Sequence, residues 1–446
     1  MVQLNNKFRI AGLLLGDVTA LYAALFITLM LRYGETFYAE FLRSHFAPFT
    51  IIFAFWFVVF YVAGLYDLRH LRNNLDFFKT LGASLAVNFT IAVFFFYLIP
   101  SFVIAPKRNL FIFLLIFGLI EFFWRRFFNK LATSGEAPNR VLLIVPHAAS
   151  PVQELVRTSL WLRQIGYEIT AQIPEADIAS APEKLERIVA EKKINFIAVP
   201  RRLRSNNKLA KQLYEFLGKG VEVRDLSAFY ESVTRKVPLE EVEESWFLEN
   251  LVNIETSYDP AKRAAEFIAA AILGLILLPL GLVLAIFVKL SSPGPVIYKQ
   301  TRIGKGGKEF TLYKFRTMKL HNNHVWPEEN DERITRVGKF LRKTHLDEMP
   351  QLWNIVKGDI SVVGPRPDFV DFYKNLERDI PYYAIRTIIK PGLTGWAQIH
   401  QPITASLEDT KERLAYDLYY IKNRSLILDM AIVLKTLKVL FTAKGL

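Results

Sequence analysis

Two carboxylates stand side by side in the stretch from His345 to Asn354, HLDEMPQLWN, and Arg342 and Lys343 come just before them. Neighbours on a helix project about 100° apart, so Asp347 and Glu348 address different parts of one pocket. One can face a reacting centre while the other holds a cation. Phosphoryl transfer uses that division of labour, with a nucleophile in line with the leaving oxygen and Mg²⁺ neutralising phosphate charge. An Asp serves as the nucleophile by forming an acyl phosphate. A glycosidase pair is disfavoured, because those carboxyls flank a sugar ring from separate positions about 5 Å or more apart. An Asp-Glu dipeptide alone is more often a solvated helix N-terminus. This one is set apart by its place between Arg342-Lys343 and the segment GDISVVGPRP, Gly358 to Pro367.

The surroundings are basic. From Lys289 to Lys343 there are thirteen Lys or Arg against five Asp or Glu, interleaved with Tyr298, Phe310, Tyr313 and Phe315. Such a surface suits phosphates or anionic headgroups. Nucleic acid is not expected as a partner, since no helix-turn-helix, RNA-binding or zinc-finger pattern accompanies the charge. The glycines of RIGKGGK, Arg302 to Lys308, fit neither the P-loop nor the dinucleotide spacing. They read as a hairpin turn between strands at 296–300 and 310–315. His321 and His324 read as part of a solvated loop and His345 as structural. With no cysteine in 446 residues, a disulfide framework and thiolate chemistry are excluded.

The elements that must position these groups begin with membrane-type segments. Four apolar runs, Ile10 to Leu31, Phe49 to Leu65, Phe77 to Ile99 and Leu110 to Trp124, are each near the length that spans a bilayer as helix. The first is not read as a cleavable signal. Lys7, Arg9, Arg69, Arg72, Arg125, Arg126 and Lys130 fall on one side, which places the N-terminus and the chain after Trp124 in the cytosol. Asp17, Asn88 and Glu121 within or beside the spans read as interhelical hydrogen-bonding groups. From Asn139 to about Pro238, strands at 141–145, 167–173, 196–199 and 221–223 alternate with helices at 153–164, 182–192 and 209–217. That is the pattern of a doubly wound parallel sheet. The turn Pro146 to Pro151 has no glycine, so no dinucleotide is expected there. A fifth apolar run, Ala264 to Val288, has basic residues at both ends and Pro279 in its middle. These features favour a hairpin dipping into one leaflet and returning over a spanning helix. The run Leu426 to Phe441, interrupted by Asp429, Lys435 and Lys438, reads as an interfacial helix.

A family resemblance emerges from the order of these pieces: Lys262-Arg263, the apolar run with Pro279, SPGP at 292–295, QTRIGKGG at 300–307, YKFRTM at 313–318, LDEMPQLWNIVKGDISVVGPRP at 346–367 and KPGLTGWAQ at 390–398. Residues 258–446 resemble the bacterial monotopic phosphoglycosyl transferases, also called bacterial sugar transferases. With four spans and an α/β domain in front, the chain resembles the extended members, polyprenyl-phosphate hexose-1-phosphate transferases that prime exopolysaccharide, O-antigen or capsule synthesis. The resemblance implies a four-helix transmembrane bundle at 1–135, a Rossmann-like domain at 139–250 and a catalytic domain at 258–446 with a re-entrant hairpin at 262–290.

It further implies that Asp347 attacks the sugar-bearing phosphate of a UDP-sugar. UMP leaves, and undecaprenyl phosphate then takes the phosphosugar from Asp347. Glu348 would hold Mg²⁺ and Arg342 would engage phosphate. Pro365 and Arg366 would shape the pocket and contact substrate, and Lys314 and Arg316 match the family's basic motif. Asp417 matches another family acid. The expected location is the bacterial inner membrane, with the active site on its cytosolic face and glucose or galactose as the sugar. Two departures stand out: Glu266 occupies a position commonly Asp, and QPITAS at 401–406 replaces a common Asn-Gly-Arg pattern. The glycine-free turn favours a structural or interaction role for the α/β domain, with a homodimer as one form of it. A catalytically inactive membrane scaffold or regulator is the alternative from another class. A transporter is disfavoured by the sparse intramembrane polar residues.

Overall fold

The computed structural model describes residues 2–67, 73–98, 106–134, 138–145, 155, 162–181, 183–251, 258–319, 331, 333–401 and 406–441. The chain divides into two compact units, Met1–Phe229 and Tyr230–Leu446. In the first unit, four long helices occupy the four N-terminal apolar runs: α1 (Val2–Tyr33), α2 (Phe46–Ala63), α3 (Leu75–Leu98) and α4 (Pro106–Ser134). They share a core rich in aromatic residues, in which Phe49, Phe53 and Trp56 of α2 meet Phe113 and Phe117 of α4. Length and apolar composition qualify three stretches for crossing a membrane, at 8–63, 77–96 and 258–291. The helix α4 is not among them because Glu121 falls inside its apolar run and Arg125 and Arg126 directly follow it.

Those charges are used within the bundle. Arg125 pairs with Asp17 at 2.5 Å and with Glu121 at 2.7 Å, and Asp17 also accepts from Tyr66 and Trp124. The interhelical reading therefore holds for Asp17, which joins α1 to α4, whereas the Arg125–Glu121 pair lies within α4. Buried Asn88 differs, since its amide makes no hydrogen bond with any described residue.

The α/β part of this unit is a four-stranded parallel sheet in the order β2-β1-β3-β4, with β1 Asn139–Val145, β2 Tyr167–Pro174, β3 Phe196–Val199 and β4 Glu222–Asp225. The apolar faces of helices α5 (Glu183–Glu191) and α6 (Asn207–Gly218) cover Leu142, Ile144, Ile197 and Val199. The glycine-free turn, most of the helix expected at 153–164, and Arg69 and Arg72 lie outside the described residues.

The α/β domain is shorter than the expected 139–250. Val237, Val242 and the helix α7 (Glu244–Leu251), which brings Trp246 and Phe247, belong to the core of the second unit. There they pack with Tyr373, Tyr383, Leu414 and Leu418, and Val237 N–H donates to the Ala415 carbonyl. Alternating pattern alone could not place this segment, because its apolar residues suit either core.

The second unit starts with α8 (Tyr258–Ser291), a 34-residue helix that is continuous through Pro279. The expected hairpin is thus not seen as two helices with a return between them. Both ends of α8 nonetheless pack on one body. Near its start, Arg263 donates to the carbonyls of Ile355 and Val356, and Ala270 joins Leu312, Ile355 and Ile360. Near its end, Leu284 and Val288 pack on Phe315 and Leu341. Between these contacts Ile272, Leu275, Ile276 and Leu278 are exposed, a surface fit for lipid. Beyond α8, the expected hairpin forms from β5 (Ile297–Ile303) and β6 (Glu309–Phe315). Gly306 and Gly307, both at positive φ, make its turn.

Candidate active site

The acidic pair lies in a 3₁₀ turn, Leu346–Glu348, between α9 (Arg336–Thr344) and α10 (Gln351–Lys357). This corrects the expectation of a helix interior. His345 in the left-handed region ends α9, and the chain tightens before α10 begins. The close seat of α9 has a local cause. Thr335 caps it by accepting from Gly338 N–H, and a Cβ on Gly338 would stand 1.9 Å from the Thr317 carbonyl oxygen. Only glycine lets α9 approach the backbone after β6, and Arg342 then donates to Thr317 Oγ1 at 2.9 Å.

Asp347 is buried, whereas Lys314 Nζ on β6 meets Glu348 Oε1 at 2.5 Å. Burial pushes the Asp347 carboxyl above its ordinary value. Lys314, His345 and Arg342 pull the other way, and the charge of Glu348 adds to the rise. For Glu348, burial acts upward too, but the Lys314 ammonium and the Arg366 guanidinium outweigh it and hold the carboxyl below its ordinary value. The two neighbours are therefore unequal: cations hold Glu348 as an anion, and Asp347 carries the more basic carboxylate of the two.

The loop Gly364 to Pro367 follows β7 (Ser361–Val363), which pairs in parallel with β8 (Gly392–Thr394). Arg366 and Pro365 are held here by backbone contacts. Gly392 N–H donates to the Pro365 carbonyl, and the Arg366 carbonyl accepts from Arg386 at 3.0 Å and Arg413 at 2.7 Å. Arg386 is itself fixed between Asp368 and Asp417, the latter at 2.8 Å. Asp417, on α11 (Leu407–Asn423), thus braces the loop that carries Arg366. Burial raises its carboxyl above the ordinary value, although Arg386 and Arg413 oppose this. Arg302 of β5 stacks on Phe369, and burial followed by the nearby Arg366 lowers it to about 10.

The structure therefore gathers Lys314, Arg342 and Arg366 around Asp347 and Glu348. Arg316 is placed differently: it is buried, and its Nη2 donates to the Ser292 carbonyl at 2.6 Å, bracing the turn after α8. Glu266 accepts from Ser361 Oγ and Val362 N–H, so its carboxylate fixes the start of β7. His400 stacks on Tyr416 in a packed position, while His321, His324 and residues 402–405 lie outside the described residues.

One contributor escaped sequence reasoning. Fully buried Asn354 on α10 accepts from Tyr313 N–H at 3.1 Å and donates to the Thr311 carbonyl at 2.7 Å. It stitches the helix after the acidic pair to the free edge of the strand that carries Lys314. A buried polar residue seven positions after Asp347 was the only available signal, and it lay within an apolar helix pattern.

The fold and this constellation define a protein with helices long and apolar enough to cross a membrane and a centre of paired carboxylates ringed by cations. The family model for bacterial sugar transferases matches residues 257–443, and the chain belongs to that family. A UDP-N-acetylgalactosamine-undecaprenyl-phosphate N-acetylgalactosaminephosphotransferase of Aeromonas hydrophila is 43% identical over 187 residues, 41% of this chain and 44% of that protein. A UDP-glucose:undecaprenyl-phosphate glucose-1-phosphate transferase of Xanthomonas campestris pv. campestris is 44% identical over 182 residues, 40% of this chain and 38% of the relative. One of the same name from Caulobacter vibrioides is 41% identical over 189 residues, 41% of this chain and 71% of the relative. The matched region thus spans less than half the length of the first two relatives.

Proposed function

We propose that this chain transfers a sugar-1-phosphate from a UDP-sugar to undecaprenyl phosphate, giving UMP and an undecaprenyl-diphosphate-sugar, and so initiates polysaccharide synthesis. The observation that carries this reading is the turn bearing Asp347 and Glu348 amid Lys314, Arg342 and Arg366, within the family-matched region. The chemistry is assigned to residues 258–446. An Asp347 oxygen attacks the sugar-bearing phosphorus, the bond to the UMP oxygen breaks, and UMP departs with the electron pair. An oxygen of undecaprenyl phosphate then attacks the same phosphorus and Asp347 leaves as a carboxylate. Lys314, Arg342 and Arg366 face the phosphate charge, and the raised basicity of Asp347 suits a nucleophile. The names of the relatives include N-acetylgalactosamine beside glucose, so the donor is a UDP-hexose or UDP-N-acetylhexosamine rather than glucose or galactose alone.

Glu348, beside Asp347, is the carboxylate suited to hold Mg²⁺. Among the described residues no third metal-binding side chain joins them, which matches an ion bound by one or two carboxylates and completed by substrate phosphates and water. When bound, it would neutralise charge on those phosphates.

The proposal extends to the membrane. The helices α1–α4 span the bacterial inner membrane, and α8 enters one leaflet with both ends cytosolic, where UDP-sugar and lipid phosphate meet. Packing supports the re-entry. On a straight helix Arg263 and Gly281 would stand roughly 27 Å apart. Yet Arg263 bonds Ile355 and Val356 while Gly281 closes on Met349, all within one short segment.

The deciding assay is UMP release by the purified full chain with undecaprenyl phosphate and Mg²⁺ over a panel of UDP-sugars, with Asp347→Asn alongside. Release with one sugar, lost in Asp347→Asn and on chelation, is expected. Undiminished turnover in a folded Asp347→Asn protein would refute the nucleophile. No release from any sugar would refute the transferase reading.

A further inference from the structure

The second unit carries another recess, of about 110 Å³, that shares none of its lining with Asp347 or Glu348. Five cations line it: Lys262 and Arg263 from the start of α8, Lys305 from the hairpin turn, Lys390 before β8, and Arg424 after α11. Only two acids, Asp259 and Glu266, stand among them. The local bonds show which charges are compensated. Arg424 and Asp259 form a two-pronged pair at 2.7 and 2.9 Å. Lys262 pairs with Asp429 at 2.8 Å, and Glu266 is engaged by Ser361 and Val362. Arg263 makes no ion pair with a described residue: it donates to the carbonyls of Ile355 and Val356, where it caps the end of α10, and lies over the Phe267 ring.

The Lys390 ammonium makes neither a hydrogen bond nor an ion pair with any described residue. It is nevertheless drawn towards other cations. The position a Cβ would take on Gly358 is 3.0 Å from Arg263 Nη2 and 3.3 Å from Lys390 Nζ. The two cations thus lie within about 6 Å of each other, where they repel. Burial first, then Arg263 and Lys305, lower the Lys390 ammonium below its ordinary value, against the opposing charges of Glu266 and Asp359. Capping of α10 accounts for Arg263 but leaves Lys390 without a bonded partner. An anion with several oxygens, seated between Arg263 and Lys390 and within reach of Lys305, would supply one.

The place of the recess narrows the choice of anion. Its α8 wall ends at Glu266, and the next residues, Phe267 and Ile268, are exposed and apolar. With α8 inserted, the recess opens at the depth of lipid headgroups on the leaflet that α8 enters. We propose that this recess is a phosphate-binding site separate from the acidic pair, occupied by the phosphodiester headgroup of an anionic phospholipid. The site would hold α8 at a fixed depth. It stands whether or not the chain is a transferase, since none of its residues touches Asp347 or Glu348.

The test is native mass spectrometry of the full chain in detergent, titrated with phosphatidylglycerol, with zwitterionic phosphatidylcholine, and with inorganic phosphate. The variants are Lys390→Gln in the wall, Lys305→Gln on the exposed turn, Lys390→Arg to keep the charge, and Lys374→Gln as an exposed control elsewhere. Phosphatidylglycerol is expected to bind more tightly than phosphatidylcholine. That preference should fall roughly fivefold for each lost wall charge and persist in Lys390→Arg and Lys374→Gln. Inorganic phosphate binding with the same dependence on Lys390 and Lys305, without a lipid preference, would keep the phosphate site and overturn the lipid as its occupant. Equal binding of both lipids with no phosphate bound, or preferences unchanged in Lys390→Gln and Lys305→Gln, would overturn the site. Lys305→Gln keeps the test decisive should Lys390→Gln fail to fold.

Discussion

Replacing Asn354 by Leu keeps the size of the side chain and removes its polar atoms. Two backbone groups of β6 then lose their partners, the Tyr313 N–H and the Thr311 carbonyl, in a place the Leu side chain shields from water. A buried donor or acceptor left unsatisfied costs about 1–3 kcal/mol. Because Thr311 and Tyr313 are only half-buried, the lower part of that range applies to each, and the loss is about 2–3 kcal/mol in all. For a unit of this size that lowers the thermal midpoint by about 4–12 °C, measurable by tryptophan fluorescence of the full chain in detergent. Asn354→Asp separates the two bonds. It still accepts from Tyr313 N–H but sets an anion against the Thr311 carbonyl and beside Asp359. It should therefore also destabilise the unit, and the loss should ease in acid as the new carboxyl protonates. Since β6 carries Lys314, UMP release by Asn354→Leu should fall even where the protein is fully folded. A midpoint within 1 °C of the parent together with unchanged release would refute the idea that Asn354 joins the strand to the acidic turn.

Four further expectations rest on the charged groups and on α8. Asp347 must be ionised to attack, and its carboxyl lies above the ordinary 3.8, so turnover should fall in acid through a value above 3.8. Removing a cation that lowers it, as in Lys314→Met, should move that limb of the pH profile upward. Glu348 has the opposite linkage. Its depressed carboxyl contributes stability that is present above its ordinary 4.5 and is lost as pH falls through the folded value, which acid unfolding of Glu348→Gln against the parent would show. Arg386→Met leaves Asp368 and Asp417 buried without their shared cation and should cost about 3–5 kcal/mol, read as a lowered thermal midpoint, whereas an unchanged midpoint would sink the bracing role. The chain has no cysteine, so Glu240→Cys, in the chain ahead of α8, and Lys289→Cys, in its last turn, report cleanly on the two sides of α8. An impermeant maleimide should label both from the cytosolic side in inverted vesicles, and labelling from opposite sides would show that α8 crosses.

Much of the site could be read in the sequence, because its chemistry depends on residue types that a short motif keeps together. Asp347 and Glu348 are neighbours in the chain, so no folding was needed to see them as a pair. The glycine turn between β5 and β6 and the alternation of strand and helix from Asn139 onward are likewise local, since positive φ and hydrophobic period are fixed by a few adjacent residues. The tertiary structure decided what depends on distant partners. It placed the pair on a 3₁₀ turn, because His345 ends α9 against a backbone that only Gly338 allows so close. It gave Arg316 to the Ser292 carbonyl and Asp417 to the brace beneath Arg366, although both had the residue type of a substrate ligand. It also moved the segment with Trp246 and Phe247 from the α/β domain into the second unit. Apolar side chains carry no address, and only the surface that offers complementary contact decides which core they join.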